Sequence, residues 1–181
     1  VQPHDHEPVR QACRALREWS SLRLSQVEEV DYRQLSRGFG FEHNLSVAYK
    51  LCRGVRKLNL AHESGGKHIP LSGARLEQVL RRMRMVEEVS LLGRGSPDLV
   101  KALCAASPTL HTVNLAFSKR LTDDHLKPML EGCPNLRSLH LPKLQRVTDA
   151  TVKRIVQCCP HMETLNLSFT AVSGAALELL G

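Results

Sequence analysis

Apolar residues recur along this chain in a short fixed frame, apolar-x-x-apolar-x-apolar. The frame is clearest at Leu110, Val113 and Leu115, then Leu136, Leu139 and Leu141, then Met162, Leu165 and Leu167. Upstream it continues through Val55, Leu58 and Leu60 and through Val86, Val89 and Leu91, and more weakly through Val27, Val30 and Tyr32. The frames start at 27, 55, 86, 110, 136 and 162, so successive steps are 28, 31, 24, 26 and 26 residues. A period of that size marks a stack of similar supersecondary units, none of which can bury its apolar face alone.

Each unit changes periodicity halfway. In "LHTVNL" the apolar positions alternate, as a short half-buried strand requires. In "LTDDHLKPMLEGCP" the apolar Leu121, Leu126, Met129 and Leu130 return at helical spacing, and Thr122 or Asp123 stands where an N-cap oxygen would accept from the unpaired first amides. Thr148 and Asp149 open the next helix, which carries Val152, Ile155 and Val156. Ser173 precedes Leu177 and Leu180, and Ser72 precedes Leu76, Val79 and Leu80. Pro108, Pro134 and Pro160 end the preceding helices, since proline has no amide to continue them. The unit is therefore strand, turn, helix.

The stretch "VNLAFSKRLTDDHLKPMLEGCPNLRSLHL" resembles the cysteine-containing subclass of leucine-rich repeats, whose unit runs leucine, Asp or Asn, leucine, turn, Ile-Thr-Asp, helix, Cys-Pro-x-Leu. Such repeats are known chiefly from F-box proteins, the substrate receptors of ubiquitin ligases, and from related scaffolds. The resemblance is strong over 55–181 and weaker before. It implies an α/β, ribonuclease-inhibitor-like solenoid, with parallel strands on a concave face and helices on the convex one. Two departures stand out. The family's turn after the strand carries Cys or Asn, where this chain has Ser118, Leu144 and Thr170, and a leucine must leave that turn to be satisfied in another way. The unit at 86–109 is short, with "GRGSPD" in place of the longer turn, which predicts a local pinch.

The domain reading that follows is an N-terminal segment, 1–26, and a repeat domain of about six units over 27–181. "EPVRQACRALREWSSL" places Val9, Ala12, Cys13, Leu16 and Trp19 on one helical face. That helix is either a cap on the open end of the solenoid or, since "ACRALREW" also resembles the last helix of an F-box, the remnant of one.

A chain of 181 residues is long enough to bury roughly 70% of its unfolded surface in one core. With aromatics at only 4%, that core must be built from Leu, Val, Ile and Ala. The 25 Lys and Arg against 18 Asp and Glu give +7, which suits an acidic partner. No dense basic run and few aromatics argue against nucleic acid, and no apolar run approaches the ~18 residues of a membrane span. The six cysteines, Cys13, Cys52, Cys104, Cys133, Cys158 and Cys159, do not suggest bridges. Those aligned before the prolines fall about one repeat apart, at the edge of disulfide reach. Buried reduced thiols then point to a reducing intracellular compartment, cytoplasm or nucleus, with a cilium or mitochondrion also compatible.

No cofactor, metal or catalytic grouping stands out. "HDH" at 4–6 has no second cluster to complete a metal site, the remaining histidines scatter, and "ESGGKHIP" at 63–70 lacks the spacing of a phosphate loop. Function is therefore expected on the variable surface. Between the core leucines, Thr112 and Asn114, Ser138 and His140, and Thr164 and Asn166 face outward on the concave side, with Lys57, Asn59, Glu88 and Ser90 upstream. The turn residues Arg94, Lys119, Arg120, Lys143 and Arg146 would stack into a basic rim beside them. The expected role is a non-catalytic protein-interaction module that binds an acidic protein through this face and rim, as the substrate-recognition part of an F-box receptor does. A cullin-type ligase adaptor becomes a partner if an F-box lies upstream. The alternative is a structural subunit of a large assembly such as an axonemal or mitochondrial complex.

Overall fold

The structure, a computed structural model, describes residues 28–31, 54–61, 71–106 and 109–180. Segment 1–26, the weak first-frame residues Val27 and Tyr32, Cys52, the 63–70 turn and Pro108 lie outside the described residues.

Six three-residue strands form one parallel sheet in sequence order: β1 (Glu29–Asp31), β2 (Lys57–Asn59), β3 (Glu88–Ser90), β4 (Thr112–Asn114), β5 (Ser138–His140) and β6 (Thr164–Asn166). Each begins two residues into its apolar frame, so the central residue of every strand is the frame's second apolar position. Val30, Leu58, Val89, Val113, Leu139 and Leu165 pair in register across the sheet. All but Leu165 are buried. Order and register together exclude any slip, because a slip of one residue would turn the leucines out to solvent.

Helices return the chain between strands: α1 (Gly73–Arg82), α2 (Pro97–Ala102), α3 (Asp123–Gly132), α4 (Asp149–Cys158) and α5 (Gly174–Leu177). Their caps follow the sequence pattern. Ser72 Oγ accepts from Arg75 N, Thr148 Oγ1 from Ala150 N and Ser173 Oγ from Ala176 N, each 3.3 Å. At Thr122 the cap is reciprocal, with Thr122 N donating to His125 Nδ1 at 3.2 Å, so a histidine fills the place usually held by Glu or Gln. The short third unit is absorbed on the helical side. The six-residue α2 continues as a 3-10 turn, Leu103–Ala106, while β3 and β4 keep the common register.

One continuous apolar core runs between sheet and helices, from Val30 through Leu60, Leu91, Leu115 and Leu141 to Cys159. Aliphatic side chains and Met fill it, as the scarcity of aromatics requires. Leu144, which could not hydrogen-bond in its turn, is instead buried in this core with Val147. The backbone closes the turn, with Leu144 N donating to Leu141 O and Val147 N to Leu144 O. Ser118 Oγ, at the equivalent place, accepts from Gly95 N of the preceding repeat at 2.8 Å.

Close packing between helices fixes one glycine. A Cβ at Gly73 would lie 2.5 Å from the backbone oxygen of Asp98, and backbone cannot swing aside. Helix propensity alone would make Gly73→Ala stabilising by about 1 kcal/mol. The contact reverses that sign, and Gly73→Ala is expected to lower the unfolding free energy by about 1–3 kcal/mol in urea titrations.

Candidate functional site

Two rows of side chains line the outer face of the sheet, because residues on either side of each central position point away from the core. One row is Glu29, Lys57, Glu88, Thr112, Ser138 and Thr164, and the other is Asp31, Asn59, Ser90, Asn114, His140 and Asn166. The structure thus brings together the strand residues singled out in the sequence, Thr112, Asn114, Ser138, His140, Thr164 and Asn166, on one face.

That face is electrostatically divided. Its first three strands carry three carboxylates, Glu29, Asp31 and Glu88, against the single ammonium of Lys57. Lys57 Nζ pairs with Glu88 Oε1 at 3.0 Å, and this bond, with the charge of Glu88 and its acidic neighbours, raises the pKa of the ammonium. An open depression of about 230 Å³ lies over this half and reaches Asn114 and His140. The last three strands offer hydroxyls, amides and His140, whose Nε2 is 3.1 Å from Ser138 Oγ. Negative charge therefore predominates over the first half, whereas the outward positions of the last three strands carry no carboxylate.

The strand asparagines have a second duty. Asn59 Oδ1 accepts from Ala61 N, Asn114 Oδ1 from Ala116 N and Asn166 Oδ1 from Ser168 N, at 3.0–3.1 Å. Their oxygens hold the start of the turn, so Asn114 and Asn166 present chiefly their amide NH2 groups outward.

The turns that follow share one backbone geometry. Arg94 N donates to Leu91 O at 2.7 Å, Ser118 N to Leu115 O at 3.1 Å, Leu144 N to Leu141 O at 3.4 Å and Thr170 N to Leu167 O at 3.2 Å. The residue before each donor has positive φ: Gly93 at 72°, Phe117 at 62°, Lys143 at 69° and Phe169 at 59°. This resembles a type II turn, whose third position favours glycine. Gly93 meets that demand without strain, whereas the three side-chain-bearing residues each cost about 1–2 kcal/mol there. The geometry holds because the turns also extend the ladder. Gly93 N donates to Ala116 O, Phe117 N to Pro142 O and Lys143 N to Ser168 O, at 2.8–3.0 Å. Both phenylalanines stay in solvent, Phe117 50% and Phe169 70% exposed, and Lys143 Nζ stands 4.2 Å from the centre of the Phe169 ring. Sequence reading did not single out either ring. Aligning the second residue after each frame, as Gly93, Phe117, Lys143 and Phe169, would have exposed two aromatics at a turn position.

The turn cations do not behave alike. Lys119, Arg120 and Arg146 are exposed and Lys143 half-buried. None of the four takes part in an ion pair among the described residues. Arg94, expected in the same rim, is drawn inward: burial lowers its pKa, and its Nη1 lies 3.3 Å from Leu60 O. The basic rim therefore runs over the fourth and fifth repeats. On the helical side two of the cations are paired, Arg81 with Glu77 and Arg154 with Glu131.

The aligned thiols cap helices. Cys133 Sγ points to Leu103 O at 3.9 Å and Cys159 Sγ to Leu130 O at 3.7 Å, so each serves a helix-end carbonyl of the preceding repeat. Cys104, Cys133, Cys158 and Cys159 are free thiols. Burial pushes the Cys159 pKa up to about 11, and the hydrogen bond with Cys104, followed by burial, pushes Cys133 up. The same bond chiefly brings the half-buried Cys104 down to about 7. Among the described residues no group of His, Cys, Asp and Glu is placed to hold a metal ion, and no described helix is long and apolar enough to cross a membrane.

One solved structure superposes in agreement with this architecture. The leucine-rich repeat-containing protein LegL7 from Legionella pneumophila superposes with a TM-score of 0.50 at 14% identity, over 97% of this chain and 66% of that one. A yeast complex of Rad7 and Elc1 gives a TM-score of 0.46 at 15% identity, over 81% of this chain and 48% of that one. No protein-family model and no curated protein matches the sequence. The fold is a leucine-rich-repeat solenoid. The chain spans just under two thirds of the length of LegL7 in that structure.

Proposed function

We propose that this chain is a non-catalytic interaction module that binds an acidic protein partner over the last three strands and the adjoining basic turns. The observation that carries the reading is the juxtaposition of an uncharged, hydrogen-bonding half-face with Lys119, Arg120, Lys143 and Arg146, which have no acidic partner among the described residues. Variable residues on a rigid repeated backbone give a surface whose specificity is set one repeat at a time. Unpaired cations beside it attract acidic segments and speed their encounter.

Within this reading, the resemblance to F-box repeat domains supports substrate recruitment to a cullin-type ligase. That finer role is tested by co-precipitating the ligase adaptor with the full-length protein, and failure to recover it removes the ligase assignment.

The interaction surface itself is tested by charge reversal. Arg120→Glu combined with Arg146→Glu is expected to leave the fold intact, since both side chains are exposed. It should weaken association with the partner captured by the wild-type chain about tenfold or more, with the greater part of the change in the on-rate. Equal affinity and equal salt dependence in the double variant would exclude the rim.

A further inference from the structure

Phe169 is 70% exposed and Phe117 50% exposed, and both occupy left-handed backbone where Gly93 shows that the same turn accepts glycine without strain. Half or more of each ring is in solvent, so at a position that disfavours every side chain the rings offset little of the backbone strain within the chain beyond the contact of Phe169 with Lys143. Strain of this kind gathers where a surface is used. Between the rings, in the intervening repeat, comes Lys143, its ammonium 4.2 Å from the centre of Phe169. The three side chains thus form a strip along one edge of the sheet, aromatic, cationic, aromatic, at the spacing of adjacent strands, roughly 5 Å per step.

We propose that Phe117, Lys143 and Phe169 anchor an extended acidic segment of the partner, the rings taking an apolar side chain and Lys143 an adjacent carboxylate. This rests on the interaction-module reading and specifies what is bound. Charge complementarity selects the occupant, because the strip lies among cations that take part in no ion pair among the described residues and contains no carboxylate of its own. The ammonium over one face of Phe169 hinders base stacking there, which favours peptide over single-stranded nucleic acid.

The test is selection of a displayed random-peptide library on the full chain, followed by affinity measurements with the recovered peptides. Recovered peptides should be acidic, with an aromatic or aliphatic residue beside the carboxylates. Phe117→Gly with Phe169→Gly should weaken them about tenfold or more, while the melting temperature stays unchanged or rises because glycine relieves the left-handed strain. A lower melting temperature in that variant would show the rings to be structural and overturn the proposal. Undiminished affinity there, with loss in Arg120→Glu/Arg146→Glu, removes the strip but keeps the acidic-partner reading. Recovery of neutral or basic peptides, recovery of none, or their displacement by short poly-thymidine overturns both.

Discussion

Leu139→Ala should lower the unfolding free energy by about 3–5 kcal/mol, the upper part of the range for a large-to-small change at a site that cannot collapse. Leu139 is fully buried, at the centre of β5, in register with Val113 on one side and Leu165 on the other. The parallel ladder holds its backbone from both neighbours, so the cavity left by the missing carbons cannot close by a shift of one strand. In a stack whose stability is a sum of unit and nearest-neighbour terms, that position lowers two interfaces at once. Leu165→Ala makes the control. Leu165 has the same place in β6, the last strand of the sheet, but is half-buried and packs against a neighbour on one side only. It should cost about 1–2 kcal/mol. Equal losses at the two sites in urea titration would contradict nearest-neighbour stacking.

The repeat pattern made the strands and caps readable because each is a local property. A strand needs only the alternation around Val113 or Leu139, and a cap needs only Thr122 or Ser173 one residue before a helical apolar stripe. The outward residues of the sheet followed from the same alternation. What escaped sequence reading depends on pairs of repeats. Nothing local to Arg94 says that its guanidinium turns toward Leu60 in the preceding repeat. Leu144 departs from the family pattern, and only the packed core shows that the turn is closed by backbone while its side chain fills space. The positive φ values of Phe117 and Phe169 were hidden for the opposite reason, since residue type predicts against them. The uneven charge of the concave face required knowing that Glu29, Lys57 and Glu88 are lateral neighbours.

Asp123→Ala is expected to destabilise the chain by about 2–4 kcal/mol, because it breaks the polar link between consecutive repeats. In the Thr-Asp pair the two residues divide the work. Thr122 opens its own helix, whereas the Asp123 carboxylate reaches the next repeat, accepting from Thr148 N at 2.9 Å, Thr148 Oγ1 at 2.9 Å and Thr151 Oγ1 at 2.6 Å. Thr151 is buried, so its hydroxyl would be left without that acceptor in the variant. Asp149 repeats the device one step on, accepting from Ser173 N at 2.7 Å and Ser173 Oγ at 2.8 Å. Burial would raise the pKa of Asp123, but its hydrogen bonds with Thr148 and Thr151 outweigh that and hold it below the ordinary carboxylate value; at Asp149 the bonds from Ser173 do the same. A lowered folded-state pKa means stability that is fully present above the unfolded pKa, near 4, and lost as pH falls through the folded value. Acid titration of the wild-type chain should therefore show stability declining below about pH 4. In Asp123→Asn, which keeps the shape but donates where the carboxylate accepted, this decline should be shallower and start from a lower plateau at neutral pH. If the variant and the wild type lose stability in parallel, Asp123 is not the carboxylate that links the repeats.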